Sequence, residues 1–229
     1  MKTYGEARSF LEAYGVQGVE LSDESGRARV YLVPAWQGRV MTSASTGPEG
    51  PGYGWINRSL IASGVRKSRF NPFGGEERLW LGPEGGPFSL YFAPGAEQVY
   101  ANWQVPAALD TEPFRVVGRD ARQVRFEAGM SLRNAAGTRF EVGVTRRVEL
   151  LSLRQAEAAL GHALSPELAL VAYRSENSLR ASAASCLRPT RSRMASRAAA
   201  AVPAAMAKGG QVIRPAARSA KGTRPSSIS

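Results

Sequence analysis

Glu76, Glu77, Arg78 and Glu84 place three carboxylates around one guanidinium in a single short stretch, residues 70–86, which reads F-N-P-F-G-G-E-E-R-L-W-L-G-P-E-G-G. Two acids flanking an arginine can hold a proton or grip a hydroxyl pair, so Glu76 or Glu77 with Glu84 is the candidate catalytic pair. The same charges also fit a plainer arrangement, in which Arg78 pairs with a neighbouring acid on the surface. Phe73, Leu79, Trp80 and Leu81 interleave with them, and Gly74-Gly75 permits backbone turns that other residues resist. The mixture predicts a binding loop running into a strand, with an aromatic face and a few fixed polar groups. A Gly-rich hairpin with its charges in water is the alternative.

Histidine and cysteine chemistry has little to draw on. There is one histidine, His162, just past a predicted helix end, and one cysteine, Cys186, near the C-terminus. That excludes a multi-histidine metal site, a cysteine zinc site and a disulfide framework within the chain. No metal and no cofactor is expected. Sugar binding asks for less: aromatic faces for the C–H side of a pyranose and polar groups for its hydroxyls. Trp55, Trp80 and Trp103 are candidate faces; Asn57, Arg78, Glu84 and Asn102 are candidate polar contacts. Each tryptophan is also a candidate core residue, and Trp36 reads as core.

The elements that must position these residues are mostly β. Thr3 and Glu6 form a capping box for a helix over 4–14 that Gly15 closes. Residues 19–21 and 28–33 read as a hairpin about the turn at 23–26, with a further strand resuming at Val40-Met41. A Gly/Pro loop covers 45–54, and 55–62 is ambiguous between strand and helix. Residues 88–92 read as a strand and 106–113 as irregular. The clearest β region is 114–151, an antiparallel meander with breaks at 118–120, at Gly129 and at 134–137. Phe140, Val142, Val144 and Val148 keep period two toward a buried face. Ser152 and Gln155 cap a helix over 153–160 that Gly161 stops, and 168–173 reads as a strand.

The net charge of +11 is not spread over the chain: residues 180–229 carry eight Arg, two Lys and no acid, leaving 20 basic and 19 acidic residues elsewhere. The body therefore has no basic footprint for nucleic acid. The Ala/Arg/Ser-rich segment 180–229 has no aromatic residue and no steady period, which predicts disorder. It reads as a basic tail for nucleic acid or an acidic surface, as an inert linker, or, the preferred reading, as a gene continued in the wrong frame. No apolar run reaches the roughly 18 residues of a membrane span. The N-terminus has no apolar leader, so the chain as written is expected to be cytoplasmic, or periplasmic or a lipoprotein if the true start lies upstream.

Several segments, taken in order, carry a resemblance: V-P-A-W-Q-G-R-V-M-T-S-A (33–44), Y-G-W-I-N-R-S-L-I (53–61), the central stretch, N-W-Q-V-P (102–106), D-T-E-P-F (110–114) and S-E-N-S-L (175–179). Over residues 4–179 the chain resembles an uncharacterised bacterial family, some of whose members are described as lipoproteins and whose relatives continue well beyond this point. More remotely, the order resembles the galactose mutarotase (aldose 1-epimerase) superfamily. That resemblance implies that Asn57 and Arg58 reach the sugar, and that F-G-G-E-E-R-L-W stands where the superfamily has H-G-G followed by Trp. Its histidine then falls on Phe73 while Trp80 is kept. The superfamily's catalytic histidine segment is matched only by S-E-N-S-L, without a histidine, and its late glutamate base lies beyond the matched region.

The expected fold is mainly β and antiparallel: a partial mutarotase-like β-sandwich over 1–179 with short helices, plus the disordered tail over 180–229. The expected function is recognition of a small carbohydrate, with Asn57, Arg58, Arg78, Trp80, Glu84, Asn102 and Trp103 as contacts; any catalysis would be of the aldose 1-epimerase type. A basic-tailed nucleic-acid or acidic-surface binder, and a truncated product without function, are the alternatives.

Overall fold

The computed structural model describes residues 2–165 and 167–183, together with a strand at 211–215. The chain starts with α1 (Tyr4–Ala13), which the Thr3–Glu6 capping box begins: the Thr3 hydroxyl accepts the Glu6 N–H at 3.1 Å and the Glu6 carboxylate accepts the Thr3 N–H at 2.9 Å. Strands β1 (Val19–Ser22), β2 (Arg29–Val33) and β3 (Arg39–Ala44) then form a three-stranded antiparallel meander. The two-residue strands β4 (Trp55–Ile56) and β5 (Gly74–Gly75) pair with each other. Helix α2 (Arg58–Ser63) follows β4 directly, so residues 55–62 are strand and helix in turn.

A larger antiparallel sheet is built from β6 (Arg115–Arg119), β7 (Gln123–Arg133), β8 (Arg139–Leu150), β9 (Leu170–Ala183) and β10 (Gln211–Pro215), in the order β10-β9-β8-β7-β6. The architecture is thus mainly β and antiparallel, with short helices. Helix α3 (Ala107–Asp110) lies in the run expected to be irregular, and α4 (Leu153–Leu160) starts at the predicted Ser152–Gln155 capping box. Gly129 does not divide β7. It sits opposite Gly143 in an unbroken ladder, where two hydrogens face each other and the backbone continues undisturbed. Strand β9 crosses the compositional break at 179–180 and pairs its Ala183 with Phe140. The rest of the expected disordered segment, 184–210 and 216–229, lies outside the described residues.

Two expectations for the middle of the chain fail. Residues 88–92 form bends and turns instead of a strand, and no strand follows the Gly-rich loop at 79–81. The backbone here is committed to loops: the Ser89 carbonyl accepts from Ala135 at 2.8 Å, the Tyr91 carbonyl from Gln104 at 2.9 Å, and the Leu81 carbonyl from the Tyr91 hydroxyl at 2.5 Å. With those groups taken, no ladder can form.

The period-two pattern sorts residues into layers. Val30 and Leu32 of β2 join Val19, Leu21 and Val40 against Val124, Phe126, Val144, Val148 and Tyr173 of the large sheet, so the main core lies between the two sheets. Tyr31, Val33 and Met41 point the other way, onto Tyr4 and Leu11 of α1 and Leu60 and Ile61 of α2. Trp36 is core as expected, 2% exposed and stacked at 4.1 Å on Phe73.

The helix-side layer has a pH signature. The Tyr4 hydroxyl donates to Glu20 at 2.9 Å, and burial followed by the Glu20 charge holds this phenol well above its ordinary range. Burial, and next the Glu12 charge, raise Tyr31 from 10.0 to about 12. Unfolded phenols lose their protons first, so the stability these groups confer is intact below about pH 10 and drains away above it. The urea midpoint is expected to fall from about pH 10 upward, with a shallower slope in Tyr31→Phe; a flat profile to about pH 11 contradicts this.

Candidate functional site

The central stretch is a strap between the sheets. Its backbone docks on β3, with Val40 N–H donating to the Glu77 carbonyl at 3.0 Å and Glu76 N–H to the Val40 carbonyl at 2.8 Å. The two adjacent carboxylates then diverge. Glu76 accepts the Ser43 N–H at 2.7 Å and the Ser43 hydroxyl at 2.9 Å from β3, and the Tyr173 hydroxyl at 3.1 Å from β9. Glu77 accepts both terminal nitrogens of Arg146 from β8 and the Ser175 hydroxyl at 3.0 Å from β9.

Arg146 is fully buried. It occupies an inward position that the apolar period of β8 would assign to a hydrophobe, which is why the sequence pattern passed over it. Its remaining donors reach the Gly38 carbonyl at 3.2 Å and Asn177 Oδ1 at 2.9 Å. So the structure brings Glu77 against S-E-N-S-L, directly at Ser175 and through Arg146 at Asn177, while Glu76 meets β9 at Tyr173. Glu84 is elsewhere: it accepts the Trp80 indole N–H at 2.8 Å.

Arg78, Trp80, Glu84 and Trp103 do come together, in an aromatic ladder. Tyr100, Trp103, Tyr91 and Trp80 stack in succession at centroid distances of 6.3, 5.6 and 5.2 Å, and the Arg78 guanidinium lies 4.4 Å from the Trp80 centroid. Phe70 meets Trp80 and Trp103 edge-on, each at 6.1 Å. The rings use their faces on one another. Asn102 donates to the Glu97 carbonyl at 2.9 Å within the same loop. Asn57 and Arg58 are not part of this group. Asn57 caps α2, accepting the Leu60 N–H at 3.2 Å and donating to the Pro72 carbonyl at 3.0 Å, and Arg58 lies over the Phe10 ring at 4.4 Å. Phe73 is a buried core ring, and His162 sits exposed beyond α4. Trp55 is 63% exposed.

Beneath the ladder lies a second buried cluster. Asp110 Oδ2 accepts the Asn71 N–H at 2.9 Å and Nδ2 at 2.8 Å. Arg78 donates to the Leu109 carbonyl and holds one nitrogen 4.0 Å from Asp110 Oδ1. Arg39 is 2% exposed and donates to the Gly74 carbonyl at 3.0 Å. Burial, then the neighbouring Arg78 charge, lower Arg39 to about 9 against the pull of Asp110; burial lowers Arg78 to about 10, opposed by Asp110 and then Tyr91. Both stay cationic at neutral pH.

An open feature lies on the other side of the large sheet. A cleft of about 660 Å³ lies over its outer face. Cross-strand neighbours Arg115, Glu127, Thr145 and Ser178 form one row across β6, β7, β8 and β9. Beside them Gly129, Gly143 and Arg180 form the next row, so two facing glycines leave bare backbone as a floor. Arg115 pairs with Glu127 at 2.9 Å. Sequence reasoning missed this row because its members are far apart in the chain and individually unremarkable; the Gly129 and Gly143 register was the one available clue.

Among the described residues no helix is long and apolar enough to cross a membrane. Comparison with curated proteins and with solved structures returns no match. The sequence profile of a family of unknown function (DUF6786) matches residues 2–199. The match spans α1, both sheets through β9 and the strap between them, and the chain belongs to that family.

Proposed function

We propose that the protein recognises a carbohydrate in the cleft on the outer face of its large sheet. The observation that carries this reading is the row Arg115–Glu127–Thr145–Ser178 beside the Gly129–Gly143 floor. A carboxylate accepts from hydroxyls, a guanidinium donates in pairs, and the two hydroxyl side chains do either, which is the inventory a polyhydroxylated ligand needs. At an interstrand spacing of about 4.8 Å, four strands carry this row over roughly 14 Å, room for a short oligosaccharide lying across the strands. The glycine floor gives the flat C–H side of a sugar ring close approach to backbone. The distant resemblance to mutarotases points the same way. The ring faces of Trp80 and Trp103 are engaged within the ladder, so these residues support the fold in this reading and the ligand lies elsewhere.

Titration calorimetry of the folded chain against a panel of monosaccharides and oligosaccharides tests it. At least one sugar is expected to bind saturably, and Gly129→Val is expected to weaken that binding at least tenfold. A Cβ at position 129 meets no atom within 4 Å, so the variant should fold, and a β-branched residue in a strand should hold or raise its melting temperature. Silence across the panel, or undiminished affinity in Gly129→Val, removes the cleft from consideration.

A further inference from the structure

We propose that Arg39 holds a small oxyanion, of the carboxylate or phosphate class, in a buried site that it shares with Arg78. The site is independent of the sugar reading and lies in a different part of the fold. Arg39 spends Nη1 on the Gly74 carbonyl, and its Nε and Nη2 are buried with no hydrogen-bond partner. Those two nitrogens lie on one edge of the guanidinium, with parallel N–H bonds spaced for the two oxygens of a carboxylate or phosphate. Arg78 adds two further buried donors without a hydrogen bond, Nε and Nη1.

Charge argues in the same direction. Arg78 is close enough for its charge, after burial, to lower Arg39, and Asp110 is the carboxylate that opposes the lowering of both arginines. Its Oδ2 is occupied twice by Asn71, and its Oδ1 makes no hydrogen bond. The cluster therefore holds two cations, Arg39 fully buried and Arg78 mostly so, against one anion, and a second anion would balance it. Water could fill the donors, but it would leave the excess charge in place. The strap also closes over this side chain: Gly75, at φ +107°, runs so near that a Cβ there would stand 3.0 Å from Arg39 Cδ.

The full chain, dialysed into chloride buffer, would be examined by native mass spectrometry and then melted with increasing sodium acetate, sodium phosphate or sodium glucuronate at constant ionic strength. Either a retained oxyanion mass or a saturable rise of several degrees with acetate or phosphate is expected. A rise with those two and none with glucuronate identifies a free small oxyanion as the occupant. A larger rise with glucuronate identifies the carboxylate of a bigger ligand. Arg39→Lys keeps the charge without the paired edge, and Arg39→Met removes both; each should abolish the effect, and the lysine variant carries the test if the methionine variant does not fold. No retained mass with no anion-specific shift, or a shift that survives in Arg39→Lys, overturns the site.

Discussion

Glu77→Ala is expected to destabilise the protein by about 3–5 kcal/mol, the usual cost of orphaning one member of a buried ion pair. Glu77 supplies the carboxylate that pairs with Arg146, a fully buried guanidinium that also donates to the neutral oxygens of Gly38 and Asn177. Removing the acid leaves that charge in the sandwich interior and takes one acceptor from the Ser175 hydroxyl as well. Removing both charges is a different matter. Arg146→Met with Glu77→Leu removes both members of this pair, and the double variant is expected to recover most of what the single one loses. Urea unfolding of wild type, Glu77→Leu, Arg146→Met and the double variant completes the cycle, with Glu77→Ala measured beside it. A Glu77→Ala penalty below about 1 kcal/mol would mean that the pair is effectively solvated and that the strap contributes little.

Asp110→Ala is the other large effect, at least about 3 kcal/mol. Its first consequence is electrostatic, since it opposes the buried charges of Arg39 and Arg78. Its second is conformational. Asp110 fixes Asn71, whose side chain in turn accepts the Lys67 N–H at 2.8 Å and donates to the Lys67 carbonyl at 2.9 Å, so one carboxylate organises the loop that leads into the strap. Asp110→Asn keeps an acceptor for Asn71 while losing the charge, and is expected to cost less than the alanine variant. Hydrogen exchange separates the two roles: the amides of Lys67 and Asn71 should lose protection in Asp110→Ala and keep part of it in Asp110→Asn. Unchanged protection in the alanine variant would show that the loop is held by something else.

What the sequence disclosed follows from how far apart the interacting residues are. Both capping boxes, Thr3–Glu6 and Ser152–Gln155, are three-residue devices and were readable from spacing alone. The meander was readable because Val142, Val144 and Val148 keep to the same alternating face, with only Arg146 interrupting them. The strap stands out by composition, but nearness in sequence groups Glu84 with Glu76 and Glu77, while the groups that engage the pair in space include Ser43, Arg146, Tyr173 and Ser175. No local pattern encodes contacts of that range. Arg146 was hidden for a related reason, since a charge in an alternating strand is read as outward-facing unless a partner is known. Residues 88–92 misled in the opposite direction: their apolar run suits a strand, and loop carbonyls and amides claimed the backbone first.

The divergence of Glu76 and Glu77 also bears on how a ligand would be received. Sliding one sheet past the other by a single residue, about 3.4 Å, would break the Ser43 and Tyr173 grips on one carboxylate and the Arg146 and Ser175 grips on the next together. The dipeptide is therefore a latch against shear, set directly behind the strands that carry the outer-face row. Those strands cannot easily spread or close around an incoming molecule. If the proposed ligand binds there, recognition on that face would be that of a rigid template, its selectivity set by the fixed spacing of its side chains and its ordering cost met when the chain folded.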